Sequence, residues 1–329
     1  MHRHLAALLS VVMAVSAACA SGAGRATDDP AGIELARADV SRAAPSADDA
    51  NAAAASVDAF GADLYQQLAK AGDGNLVFSP ASIALALTMA RAGARGQTAT
   101  QMDAVLHALA ADRRFAVLNA LDLALSSRSG TFNDAAGKPQ VVTLNIANAP
   151  FAQRGMAIEP TYLDTLAADF GAGLRLVDYA HDPEAARKLI NAWVAVRTEQ
   201  RIPELLAAGS IDNLVRLTLV NAIYLKAAWA TPFEVSQTKT GAFMRADGSS
   251  VDVPMMHGGG SLPYAEGAGW RAVEMPYVGG SLAMTVIVPD DLAAFERALS
   301  PESLSLVISA LGSRSVDLTL PRFGLETSA

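Results

Sequence analysis

Apolar side chains recur at helical spacing in the chain after residue 50. The first group lies three to four residues apart and consists of Val57, Phe60, Leu64 and Leu68. This spacing predicts an amphipathic helix. A second helix is expected to begin at Pro80, because proline suits the first helical position and Ser79 can cap the helix N-terminus. Thr98 and Gln101 have the spacing of a capping box, which predicts the start of a third helix.

Strand-like patterns dominate the second half of the chain. Residues 140–151 alternate and are rich in β-branched side chains, and residues 214–229 are apolar on both faces, as in a central strand that is covered on each side. Further helices are expected at 115–125, 160–170 and 182–206. Later features are turns at 247–248 and 279–280, a short helix from Pro301 and a last strand at 315–323. Because helices concentrate early and strands late, the sequence predicts an α+β fold.

Charge and cysteine content exclude several classes of protein. The 329 residues carry 25 Lys and Arg against 33 Asp and Glu, a net charge of -8. No basic cluster is present, so no nucleic-acid partner is expected. Outside the N-terminus, no apolar stretch approaches the roughly 20 residues that a membrane-spanning helix needs. Cys19 is the one cysteine of the chain, so no disulfide can form within it.

The N-terminus has the pattern of a secretory signal peptide, predicted over residues 1–20. Arg3 precedes an apolar run that ends near Val15, and small residues follow. The position of Cys19 resembles a bacterial lipoprotein cleavage site, which implies lipidation of Cys19; simple cleavage and secretion is the alternative. The chain is expected to be exported, as an extracellular, periplasmic or outer-membrane lipoprotein. Residues 21–50 are poor in large apolar side chains and are predicted to be a flexible tether.

No common catalytic or metal-binding motif occurs in the chain. HExxH, paired cysteines, GxxxxGK and GxSxG are all absent from the sequence, so no cofactor and no metal are expected. Three histidines follow the N-terminal region, and each is interpreted as a surface or packed residue: His107 on a helix, His181 and His257. A secreted hydrolase with a triad assembled from distant positions is a minor hypothesis. Residues 258–261, Gly-Gly-Gly-Ser, are predicted to form a flexible turn, because no helix follows them.

Several long strings resemble the serpin family in sequence and in order. Residues 75–102 resemble the family's second helix and the start of its third, and residues 190–206 resemble the helix over its main sheet. Residues 219–234 resemble the long third strand of that sheet. The family's later strings are matched at 253–257, 273–290 and 316–323. Two departures occur, at Gln200 and Ala227, where serpins often have glycine. The resemblance implies a serpin domain over residues 51–329, with a helix bundle packed on a large central mixed β-sheet and smaller sheets beside it.

The resemblance also implies roles for individual residues. Ser82 lies inside the apolar second helix, where a hydroxyl needs solvent or a buried partner. By resemblance, Ser79, Ser82 and Asn221 form a central polar cluster under the main sheet. The alternative is that the Ser82 hydroxyl bonds a backbone carbonyl one turn back. Trp229 resembles the tryptophan at the top of the sheet, where an inserting strand first enters; plain core packing is compatible with that role.

The function implied by the resemblance is inhibition of a serine or cysteine protease. A serpin offers an exposed loop to the protease, and after cleavage the loop enters the main sheet with the protease still attached. Such a protein is used once and is not an enzyme. The alternative is a non-inhibitory serpin-fold binding or chaperone-like protein.

The chain ends soon after the string at 316–323, so we expect it to lack the reactive loop and the reactive-site bond. The target protease cannot then be identified from the sequence. The complete protein is expected to be a monomer, with a membrane contact only through the lipid on Cys19.

Overall fold

The computed structural model describes residues 29–71, 74–245 and 248–325. The predicted signal peptide and Cys19 lie outside these residues. Eight helices occur in the described part: α1 (Ala47–Ala71), α2 (Pro80–Gly93), α3 (Gly96–Val105), α4 (Arg114–Ser126), α5 (Pro160–Phe170), α6 (Pro183–Arg197), α7 (Leu292–Arg297) and α8 (Pro301–Ala310). Among the described residues, no helix is both long enough and apolar enough to cross a membrane.

Ten strands in the described residues form two five-stranded sheets. The strands are β1 (Glu34–Ala36), β2 (Gly130–Asn133), β3 (Pro139–Gln153), β4 (Leu174–Val177), β5 (Leu217–Lys226), β6 (Lys239–Met244), β7 (Ser250–Gly267), β8 (Trp270–Pro276), β9 (Ala283–Pro289) and β10 (Gly312–Pro321). In the first sheet the order is β1-β4-β3-β2, and β5 also pairs with β3. In the second sheet the order is β10-β7-β8-β9, and β6 pairs with β7. The predicted α+β class is therefore observed, with a mixed first sheet in which β3 and β4 are parallel.

The first sheet is packed between helices on both of its faces. Because side chains alternate along a strand, β3 and β5 both contribute to hydrophobic clusters on opposite faces of the sheet. One cluster joins Leu144 and Ile223 to α1, α2 and α4. The other joins Phe151 and Val220 to Trp193 of α6. The sheet thus separates the early helices from α6.

Several local predictions agree with the structure. The helices at 115–125 and 160–170 and the strand at 140–151 are present within one to two residues of their predicted bounds. Gly279 and Gly280 both have positive φ, 86° and 64°, in the turn between β8 and β9, as a tight hairpin turn requires. Asp182 caps α6 by accepting a hydrogen bond from the Ala185 amide at 2.9 Å. The helix predicted to end at residue 206 stops at Arg197 instead.

The predicted third helix was placed too late in the sequence. α3 begins at Gly96, and its N-cap residue Arg95 makes no side-chain capping bond. Thr98 therefore lies inside the helix, and the predicted capping box is wrong. The helix ends at Val105, so His107 is not helical; it has φ 48° and contacts Asp63 at 2.8 Å.

The three consecutive glycines do not form a turn, as was predicted. Gly258, Gly259 and Gly260 lie within β7 and pair with β10. A Cβ atom on Gly258 would come within 2.9 Å of the Phe233 ring, and one on Gly259 within 2.2 Å of the carbonyl oxygen of Val316. Gly258 and Gly259 are thus needed because a ring and a neighbouring backbone approach this strand closely, whereas Gly260 has a φ of 130° that favours glycine.

The predicted tether is also wrong for the part that the structure describes. Residues 34–36 form β1, which pairs antiparallel with β4 at the edge of the first sheet. Arg42 donates hydrogen bonds to Asn119 at 2.8 Å and to Asp122 at 2.6 Å. Ionic and polar contacts hold this segment, which explains why a pattern based on large apolar residues did not detect it.

Candidate functional site

The candidate site lies where the N-terminus of α2 meets the first sheet. Ser79 has extended backbone angles, and its side-chain oxygen accepts a hydrogen bond from the Ser82 amide at 3.3 Å. Pro80 occupies the first turn, where its missing N–H removes no helical bond. The predicted capping role of Ser79 is therefore confirmed.

The Ser82 hydroxyl has neither of its two predicted partners. Ser82 is 0% exposed, and among the described residues its oxygen has no hydrogen-bond partner. The structure contains no bond to Asn221 and no bond to a carbonyl one turn back. A buried hydroxyl without a partner loses its hydration without compensation, at a cost of about 1–3 kcal/mol. Ser82 is thus a buried polar group that the described residues do not satisfy.

Asn221 finds its partner across the sheet instead of below it. The side-chain nitrogen of Asn221 donates to the side-chain oxygen of Asn148, and the two residues are directly opposite in the register of β3 and β5. Both lie on the face of Ile146 and Ile223, which pack against the cluster that includes α2. The asparagine pair and Ser82 therefore occupy the same side of the sheet.

Asn148 was missed by the sequence analysis. It interrupts a run in which Val142, Leu144 and Ile146 share one face of β3. A single amide at the next position of an apolar face needs a partner. That break in the pattern was the signal that could have identified it.

Trp229 lies just beyond the end of β5 and is partly buried. Its ring stacks on Tyr277 with the centroids 4.4 Å apart and the planes at 11°, and the two residues form an isolated antiparallel bridge. Burial raises the pKa of Tyr277, so the ring stays neutral in the physiological range. The contact joins the end of β5 to the second sheet, while the role of Trp229 in strand entry stays a prediction.

β5 has one edge paired and one edge free of described strands. All ten of its residues pair with β3, and no other strand within residues 29–71, 74–245 and 248–325 pairs with it. The free edge therefore offers backbone N–H and C=O groups for strand addition.

The described histidines do not form a hydrolase triad. His181 contacts Asp178 at 2.9 Å on the surface, and His257 contacts Thr319 at 3.1 Å. No described histidine links a serine to a carboxylate in the observed hydrogen bonds. The described residues also contain no group of three or more His, Cys, Asp or Glu that could hold a metal ion.

Comparison with known proteins identifies relatives over most of the chain. A family model described as Serpin (serine protease inhibitor) matches residues 55–329. A leukocyte elastase inhibitor of Xenopus tropicalis is 34% identical over 281 residues, covering 82% of this chain and 72% of that protein. An uncharacterized serpin-like protein of Thermococcus kodakarensis is 35% identical over 276 residues, covering 83% of this chain and 62% of that protein.

A solved structure has the same architecture. The structure of ovalbumin from emu superimposes with a TM-score of 0.73 at 28% identity, covering 82% of this chain and 73% of the ovalbumin chain. Its similarity therefore extends through both sheets and the early helices rather than one motif.

Proposed function

The chain belongs to the serpin family, and from this premise we propose that it inhibits an endopeptidase by the suicide-substrate route. The target is a serine protease, with cysteine proteases as a second target class. The family model is described as a serine protease inhibitor, and we infer that the protein binds its protease once and does not turn over as an enzyme would.

The free edge of β5 is the observation that carries the proposal. The sequence of β5 is apolar on both faces, as expected for a strand inside a sheet, yet only its β3 edge is paired in the described residues. Insertion of a cleaved loop along the free edge would give β5 its second neighbour.

The side-chain contact between β5 and β3 is compatible with the same proposal. Insertion along the free edge of β5 would place the new strand beside Asn221, on the side of β5 away from β3. The Asn148–Asn221 side-chain contact holds β5 to β3 on the face that packs against α2. A strand added at the free edge would leave this contact and the β3–β5 pairing intact.

The test is the formation of a covalent complex. The full-length protein is incubated separately with trypsin, chymotrypsin, elastase and papain, and the samples are separated on a denaturing gel. We expect a band at the summed mass with at least one active protease, and no such band when the active-site nucleophile of that protease has been blocked.

Cleavage without a complex, with full protease activity remaining, would contradict the proposal. That result would favour the non-inhibitory binding or chaperone-like protein. Sustained hydrolysis of peptide or ester substrates by the protein itself would instead support a hydrolase.

We also propose that the protein is a bacterial serpin exported through its N-terminal signal and anchored by lipid on Cys19. The composition of residues 1–20 supports this proposal. Labelled fatty acid should enter the wild-type protein and not the Cys19→Ala variant; absence of label from both would leave simple secretion.

A further inference from the structure

The carboxylate of Asp29 is enclosed by groups that belong to the folded body. Its Oδ1 atom accepts hydrogen bonds from Nη2 of Arg175 at 3.1 Å, Nη2 of Arg197 at 2.9 Å and Nε1 of Trp193 at 2.9 Å. Its Oδ2 atom lies 3.1 Å from Nε of Arg175, which is an ion-pair distance. The Asp29 side chain is only 10% exposed, so this carboxylate is seated in a pocket.

The two arginines share one aromatic ring. The guanidinium carbon of Arg197 lies 4.1 Å from the centroid of the Trp193 ring, and that of Arg175 lies 4.9 Å from it. The side chains are 20% and 7% exposed. Two cations at one indole repel each other, and the cation–π attraction to a single ring does not neutralise them. An anion at the Asp29 position lowers the energy of both.

The pocket is built on two different elements. Arg175 comes from β4, whereas Trp193 and Arg197 come from α6. Phe151 of β3 packs against Trp193 in an edge-to-face contact, with the ring centroids 5.6 Å apart. Arg175 pairs with Leu35 of β1 on one side and with Phe151 of β3 on the other, so β3 and α6 hold the donors in addition to the N-terminal segment.

The other polar contacts of the N-terminal segment near Asp29 are weak, and Ile33 adds apolar packing against the cluster of Phe151 and Trp193. β1 has three residues, and a pairing of that length is marginal on its own. Glu34 approaches Arg154 at 3.6 Å, but its side chain is 63% exposed, so this ion pair contributes little. The carboxylate is thus the main polar anchor of residues 29–36, which we call the strap.

We propose that Arg175, Arg197 and Trp193 form a carboxylate-binding pocket whose resident ligand is Asp29 of the same chain. When Asp29 occupies the pocket, the strap is held against β4 and α6. Empty, it binds a carboxylate supplied from solution, because its donors are preorganised by β4 and α6. The proposal concerns a site separate from β5 and is independent of the proposed function.

Chemical rescue in the full chain tests the pocket. The Asp29→Ala variant removes the carboxylate and leaves its volume in the pocket empty. The Asp29→Asn variant keeps that volume filled with a neutral amide. We expect Asp29→Ala to melt at a lower temperature than wild type, and sodium acetate to recover at least half of the loss relative to sodium chloride at equal ionic strength. Acetate should also shift the indole N–H resonance of Trp193 in this variant, assigned with Trp193→Phe.

The controls separate pocket binding from a general salt effect. Wild type and Glu34→Ala, which loses the exposed ion pair of the same strap, should gain no more stability from acetate than from chloride. Asp29→Asn should respond less than Asp29→Ala. Equal effects of acetate and chloride on Asp29→Ala, with no shift of the indole resonance, would overturn the proposal.

If Asp29→Ala does not fold, hydrogen exchange of the Asp29→Asn variant tests whether the pocket holds the strap. In Asp29→Asn, the amides of residues 33–37 should exchange at least tenfold faster than in wild type, while those of β3 and β5 keep their rates. Unchanged exchange in the strap would show that the pocket does not hold it, and would overturn the proposal.

Discussion

Asn221 donates its side-chain amide to the side-chain oxygen of Asn148, directly across β3 and β5. This bond links the two strands on the face that covers the start of α2. Nearby, the buried Ser82 hydroxyl has no partner among the described residues. The centre of the sheet thus combines one satisfied polar pair with one unsatisfied group.

The asparagine pair should show measurable coupling. Replacing Asn221 by alanine leaves the Asn148 oxygen without its donor, so each single alanine variant is expected to lower the free energy of unfolding by about 1–2 kcal/mol. In the double variant the losses should not add, with a coupling of about 0.5–1.5 kcal/mol. A double-mutant cycle by urea denaturation measures this; additive losses would show that the bond contributes nothing.

The two serines of α2 should respond in opposite directions to the same substitution. Ser82→Ala removes a buried hydroxyl without a partner and should raise the free energy of unfolding by about 1 kcal/mol. Ser79→Ala removes the helix cap and should lower it by about 1 kcal/mol. Urea denaturation of both variants provides the comparison. Destabilisation by Ser82→Ala would mean that the hydroxyl has a partner in the protein.

Gln200 is expected to be a strained position. Gln200 follows α6, and its φ of 60° places it in the left-handed region. Its backbone amide donates a hydrogen bond to the Ala195 carbonyl at 2.8 Å. Helices often end with a residue in this conformation, and glycine is favoured there. Gln200→Gly should raise the free energy of unfolding by about 0.5 kcal/mol, because relief of strain exceeds the added freedom of the unfolded chain. Arg201→Gly is the control, since Arg201 has no positive φ, and it should be destabilising.

Asp103 should contribute to stability only above the acid range. It accepts hydrogen bonds from Nε and Nη2 of Arg91 at 2.7 and 2.8 Å, and Arg114 lies 2.9 Å away. The Arg91 hydrogen bonds, with the charge of Arg114, lower the pKa of Asp103 from its ordinary value of 3.8. The folded state therefore binds this proton more weakly than the unfolded state, and the stabilisation is present above pH 3.8 and is lost as the pH falls through the lowered pKa.

Denaturation at several pH values measures this effect. Asp103→Asn should cost about 1–3 kcal/mol at pH 6, and the difference from wild type should shrink below pH 3.8. Asp122→Asn is the contrasting variant, because burial raises the pKa of Asp122 despite the opposing charge of Arg42. The contribution of Asp122 should weaken as the pH rises. A constant difference for Asp103→Asn down to the acid transition would disagree with the lowered pKa.

Local chemistry was visible in the sequence, whereas long-range contacts were not. Ser79 and Pro80 identify a helix start because both act on their own turn. The strap depends on Asp29 meeting Arg175, 146 residues away, and no local pattern encodes that distance. The glycines at 258–260 looked like a turn because their requirement comes from Phe233 and Val316, which only the folded chain brings near.

The sequence predicted residues of the candidate site but not the hydrogen bonds that they form. The resemblance placed Ser82 and Asn221 on the same side of the sheet, as observed, but the partner of Asn221 depends on the register of β3 and β5. Asn148 is 73 residues from Asn221. Register is set by the whole hydrophobic pattern of both strands, so the pair could not be assigned from either strand alone.

Hydrogen exchange of β5 tests the central claim most directly. The protein encoded by the complete gene is studied before and after cleavage by a protease that it inhibits, with uncleaved protein as the control. We predict that β5 amides which do not bond to β3 become at least tenfold more protected after cleavage, because a new strand pairs with the free edge. Unchanged exchange along β5 after complete cleavage would contradict strand insertion as the mechanism of this protein.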